Sequence, residues 1–143
     1  MAKKKTTTVK KSRVEKNYNH GTQSKSAFFG SIRAALRNSS RWWKPIAACK
    51  AKSKRAYKGP NKLQKYEYQC NICKGWFSEK EIAVDHIVEV GSLKDYEDLP
   101  GFVQRLFCEV DGFQTLCNKR KDGKVSCHHT KTQEFMKKQK ENK

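Results

Sequence analysis

Residues 68–77 read YQCNICKGWF, residues 83–90 read AVDHIVEV, and residues 112–132 read GFQTLCNKRKDGKVSCHHTKT. Two residues separate Cys70 from Cys73, the spacing at which a tight turn presents both sulfurs to one ion. Tyr66 and Tyr68 before the pair, and Trp76 and Phe77 after it, mark two short strands joined by that turn. Ile82 and Val84 alternate with Ala83 and Asp85, a strand that ends at the pair Asp85-His86. Cys117 closes a further segment. Ser126 is placed to cap a last helix from Cys127 to about Lys137, with His128, Lys131 and Phe135 along one side. Cys70, Cys73, Cys117 and Cys127 together supply the four thiolates that Zn²⁺ favours in a structural site. Buried thiols that pack as small hydrophobes are the alternative. Cys49 and Cys108 receive no ligand role; Cys108 follows an amphipathic segment and reads as core.

Working outward, the 143 residues make one small domain with appendages. Only 36% of them are hydrophobic, so the apolar core is modest and a metal staple is worth much to it. Zinc contributes roughly 10–16 kcal/mol to the folding of small domains. No apolar run approaches the length of a membrane span. The N-terminus is polar and basic with no apolar stretch, unlike a secretory signal. Reduced thiols on a metal in the cytoplasm follow from these features better than disulfides do.

The formal net charge is +18. Nineteen Lys and Arg and a single acid, Glu15, fall in residues 1–66, and thirteen of each in residues 67–143, so the whole excess lies in the N-terminal half. Such asymmetry points to a polyanionic partner, with a merely solubilising tail as the alternative. Residues 1–25 lack apolar periodicity and are expected to be disordered when free. Residues 26–65 form a basic helical extension. Ser26 caps a helix from Ala27 to Arg37 with Phe28, Ile32, Ala35 and Leu36 on one face, and Asn38-Ser39-Ser40 breaks it. A second helix starts near Pro45, and Gly59-Pro60 marks a linker. Trp42 and Trp43, set between Arg41 and Lys44, read either as packing residues or as stacking platforms for bases, with packing favoured. Leu99, Phe102, Val103 and Leu106 repeat at helical spacing, with Pro100 suited to a first turn. Residues 139–143 fray.

Asp85, His86 and His128 are the candidate reactive residues. An imidazole titrates near neutrality and acts as a general base. A carboxylate and a second imidazole hold a divalent ion whose other ligands are water and phosphate oxygens. Neighbours on a strand point to opposite sides, so a sharp bend at Asp85-His86 is expected to direct both into one site.

The pattern C-x2-C…V-D-H-I…L-C…C-H-x2-K-T over Cys70–Thr132 resembles HNH endonucleases of the zinc-bearing ββα-metal (His-Me finger) type. The fuller run VDHIVEV…FVQRLFCEVDGFQTLC…CHHTKT is similar to small HNH proteins of tailed bacteriophages, often encoded near packaging genes. The resemblance implies an α+β fold with a ββα-metal nuclease core over residues 66–138, stapled by the four-cysteine zinc site. It implies a metal-dependent endonuclease that nicks or cuts duplex DNA with little sequence specificity. His86 would be the general base, Asp85 and His128 would hold one catalytic Mg²⁺ or Mn²⁺, and Lys131 would contact phosphate. DNA and phage packaging proteins would be the partners, and a monomer in the host cytoplasm the state. Two departures stand out. Gly112 occupies the place of the family's middle Asn, leaving Asp111, Gln114 or a backbone carbonyl to orient the base. Nine residues, Asn118 to Ser126, stand where two are usual, and the loop is either a DNA contact or a surface excursion. His129 is the other imidazole near the ligand position; the spacing to Lys131 favours His128. A non-catalytic zinc-finger DNA-binding module, or an accessory protein of a phage machine, is the competing function.

Overall fold

The computed structural model describes residues 12–142. The expectation of a disordered segment falls partly outside them, on residues 1–11. Within them it needs correction: Tyr18 and Gln23 form a β-bridge around a turn with left-handed Asn19 and His20. The Tyr18 ring stacks on Phe28 with centroids 4.7 Å apart.

Helix α1 spans Lys25–Ser40. Its cap is Ser24, whose Oγ accepts from the Ala27 amide at 3.2 Å, not Ser26. It runs through Asn38-Ser39-Ser40 because the buried Ser40 hydroxyl donates to the Arg37 carbonyl at 2.8 Å and so needs no other partner. Phe28, Ile32 and Leu36 face the core as their spacing implies, together with buried Phe29; Ala35 is exposed. Helix α2, Lys44–Lys52, has Pro45 in its first turn.

Strand β1, Lys54–Ala56, pairs antiparallel with β2, Tyr66–Gln69, which pairs with β3, Trp76–Phe77. Tyr68 lies opposite Phe77 and Gln69 opposite Trp76, the hairpin that the aromatics around the Cys pair imply. The extension does not stand apart from this half: β1 supplies the hairpin with an edge strand, and α2 packs against the second sheet.

That second sheet is a two-stranded ribbon of β4, Ile82–His86, and β5, Phe113–Cys117. Between them lies α3, Leu99–Leu106, with Phe102 and Leu106 fully buried against Phe29, Val90 and Leu93. Helix α4, Cys127–Glu141, packs on β5. Ser126 caps it by accepting from the His129 amide at 3.3 Å. It continues four residues past Lys137, so residues 139–141, expected to fray, belong to the helix. The architecture is α+β, with a smaller core of Cys70, Leu116 and Cys117 beneath Phe77 and Cys127. Among the described residues no helix is long and apolar enough to cross a membrane.

Candidate metal centre and its neighbouring acid–imidazole pair

The turn between β2 and β3 is closed by two backbone hydrogen bonds, Cys70 N–H to the Gly75 carbonyl at 2.9 Å and Lys74 N–H to the Cys70 carbonyl at 3.0 Å. Lys74 sits in the left-handed region, φ 59°, the conformation the chain needs to fold back behind Cys73. Asn71 ties this turn to β5, its amide donating to the Thr115 carbonyl at 2.8 Å and its side chain to Gln114 at 3.1 Å. Cys117 ends β5 and Cys127 begins α4, with the Cys127 amide donating to Cys117 Sγ at 3.3 Å. The four sulfurs of Cys70, Cys73, Cys117 and Cys127 thereby lie within 4.8 Å of one another, the one such group among the described residues. Tetrahedral zinc at a Zn–S distance of about 2.3 Å needs sulfurs about 3.8 Å apart, so the donor set and spacing fit a zinc ion.

Burial pushes the Cys70 thiol up, but donors from the Cys117, Cys73 and Ile72 backbone outweigh it and bring it down to about 7. Burial and the neighbouring thiols push Cys127 up, and burial pushes Cys117 up. Cys49 and Cys108 lie elsewhere; burial raises both.

Asp85 and His86 stay in the ladder, opposite Gln114 and Phe113. The sharp bend expected there is absent because the register is unbroken to the end of β4, and the two side chains leave on opposite sides of the ribbon. Asp85 turns to α4, where Lys131 Nζ meets its Oδ2 at 2.7 Å and Glu89 Oε1 at 3.1 Å, and also bonds the His86 carbonyl. Burial opposes the charge on Lys131, but hydrogen bonds to Asp85 and Glu89 outweigh it and raise its pKa. His86 turns to the end of α3: its Nε2 lies 3.0 Å from the Leu106 carbonyl and its ring 4.6 Å from that of Phe113. A carbonyl only accepts, so Nε2 carries the proton and Nδ1 the lone pair. His128, half-buried in the first turn of α4, is three positions before Lys131 and hence its neighbour along the helix. No hydrogen bond joins the His128 ring to His86 or Asp85 among the described residues.

The structure thus gathers the four Cys, and gathers Asp85 with Lys131. It adds two groups that the sequence did not single out, Glu89 and the Leu106 carbonyl. Of the three candidates for orienting the imidazole, the contact goes to a backbone carbonyl; Asp111 is exposed and Gln114 is held by Asn71. Gly112 has no room for an Asn: a Cβ there would lie 2.5 Å from Cys108 Sγ and 2.9 Å from its Cβ. In the 118–126 loop, Arg120 pairs with Asp122 at 2.6 Å and Lys121 reaches Glu81 at 3.5 Å. Two of the loop's four cations are therefore engaged within the protein. His129 is exposed, its amide spent on the Ser126 cap. No family model matches the chain, no curated protein does, and no solved structure does.

Proposed function

We propose that this protein is a metal-dependent DNA endonuclease of the ββα-metal type. The observation that carries the reading is the meeting of the β4–β5 ribbon with the thiolate-pinned start of α4. There a carboxylate, Asp85, faces the helix that bears His128, and from the other side of the ribbon the next residue, His86, has one ring nitrogen held by a carbonyl. His86 Nδ1 is then free to take a proton from water attacking a phosphodiester, the work of a general base. Asp85 and His128 would hold a divalent ion, a mixed oxygen and nitrogen set that suits Mg²⁺ or Mn²⁺ with phosphate and water completing the shell. Such an ion, when bound, stabilises charge on phosphoryl and leaving oxygens. Lys131 is the cation nearest that position and would meet the substrate phosphate. The excess charge of residues 1–66 would bind the DNA backbone with little sequence readout.

A second reading, a zinc-pinned DNA-binding module without catalysis, is favoured by two contacts: Lys131 covers Asp85, and the His86 ring is turned to α3. Supercoiled plasmid incubated with Mg²⁺ or Mn²⁺ separates the two. The wild type is expected to relax or linearise it, and His86→Ala to lose about 100-fold or more of the rate while still retarding DNA in a gel. No cutting by the wild type leaves the binding module, and equal cutting by the variant removes His86 as the base and with it the proposed site.

A further inference from the structure

We propose that Trp42 is a stacking post for an unstacked nucleic-acid base, a contact that rests on the DNA-binding part of the reading above. Trp42 and Trp43 share one turn between α1 and α2 but meet different fates. Trp43 is anchored: its Nε1 donates to the Cys108 carbonyl at 2.7 Å, and its ring stands edge-on to Phe107 at 5.4 Å. Trp42 is 88% exposed.

The exposure is built in. Trp43 N–H donates to the Ser40 carbonyl and Ile46 N–H to the Trp43 carbonyl, both at 3.1 Å, and Pro45 is buried. With its neighbours fixed on both sides, the turn holds the Trp42 indole outward. Beside it lies a shallow, mostly apolar groove of about 550 Å³, lined by Trp43, Lys44, Pro45, Ala48, Val110 and one acid, Glu109.

Charge names the occupant. Residues 25–54 carry eight Lys and Arg and no acid. Arg41 and Lys44, both exposed, flank the indole on the same turn. A planar apolar face between cations matches a base with its phosphates to either side; an apolar protein segment would gain nothing from that surround. Every base offers a π-face, so the contact is tolerant of sequence. A base inside an intact duplex has both faces covered, so single-stranded DNA is the preferred ligand.

The test uses the full zinc-loaded chain without Mg²⁺ or Mn²⁺, so that binding is read apart from cleavage. A twenty-nucleotide oligo-dT and a fully paired duplex are titrated against wild type, Trp42→Ala and Trp42→Phe, after circular dichroism and zinc content show the variants folded. Trp42→Ala is expected to bind oligo-dT about ten- to a hundredfold more weakly and the duplex with a smaller loss. Trp42→Phe keeps most of the affinity, and the salt slope stays unchanged because no charge is removed. Arg41→Gln with Lys44→Gln lowers that slope. Unaltered oligo-dT affinity in Trp42→Ala overturns the stacking post while leaving DNA binding intact. No DNA binding by the wild type overturns both. A dimer of the wild type that Trp42→Ala dissociates in sedimentation also overturns it, since the indole would then cover a second copy. A wild type that binds oligo-dT through Trp42 yet cuts no plasmid supports the stacking post and removes only the nuclease.

Discussion

Lys131 is the residue on which the candidate site turns, because it satisfies two carboxylates at once. Its side chain is 18% exposed, as is that of Asp85, and Glu89 is 31% exposed. Removing the ammonium leaves two like charges facing each other with little water. With zinc present and no Mg²⁺ or Mn²⁺ added, Lys131→Met is therefore expected to destabilise the fold by about 1–3 kcal/mol, less than a fully buried pair would lose. The pH dependence has a definite sign. The folded pKa of Lys131 is raised above the ordinary 10.5, so its contribution is complete below that value and disappears as pH rises through the folded one. Urea unfolding of both proteins at about pH 8 and about pH 11.5 checks this: the gap between them should shrink at the higher pH. A gap of the same size at both would mean that Lys131 stabilises through its methylenes and not its charge. The pairing with Glu89 had no signature in the sequence, since Glu89 follows β4 in an irregular segment where no periodicity assigns a facing. The Leu106 carbonyl was equally hidden, as backbone acceptors carry no residue code.

At the scale of elements, what could be read was what side-chain chemistry dictates locally. Two thiols with two residues between them, set between aromatic pairs, define the β2–β3 turn, and Ser126 before Cys127-His128 defines the start of α4. The repeat of Leu99, Phe102 and Leu106 defines α3. What could not be read depended on partners distant in the chain. Strand β1 is three exposed residues, Lys-Arg-Ala, with no alternation; it exists because β2 offers an edge, and Gln69 N–H donates to the Ser53 carbonyl at 3.0 Å beside it. The bend expected at Asp85-His86 failed because β5 pairs with β4 to its last residue. Trp42 was expected to pack, and only the anchoring of Trp43 decides otherwise. The thiolate cluster joins these elements: one ion would tie the β2–β3 turn, the end of β5 and the start of α4. Cys73→Ser removes one ligand and is expected to abolish cooperative folding, since the metal contributes roughly 10–16 kcal/mol and domains of this size hold only about 5–15. Metal analysis should find one zinc per chain in the wild type, with loss of the far-ultraviolet helical signal on chelation. A folded, zinc-free wild type would remove the staple from the fold.

Over the whole molecule, charge is segregated and only part of it is free. Lys25 pairs with Asp95, Lys50 with Glu79, and Arg55 with Glu67 at 2.6 Å while its guanidinium lies 3.5 Å over the Trp76 ring. These cations fasten the N-terminal elements to the acid-bearing half. Residues 2–11 hold five lysines, and Tyr18 and Ser24 belong to the packing and capping of α1. Two deletions test this. Removing residues 2–11 is expected to lower the slope of log affinity against log salt by up to about 4.5, at about 0.9 for each phosphate no longer neutralised. Removing residues 2–24 lowers the slope further by the loss of Arg13 and Lys16. It also shifts the urea midpoint, because a helix cap contributes about 0.5–2 kcal/mol and the Tyr18–Phe28 stack about 0.5–1.5. Filter binding on duplex DNA across a salt series reads the first effect and denaturation the second. If the slope of the shorter deletion equals that of the full chain, the lysines of residues 2–11 neutralise no phosphates. Binding then belongs to the cations that α1, α2 and β1 hold on the folded surface.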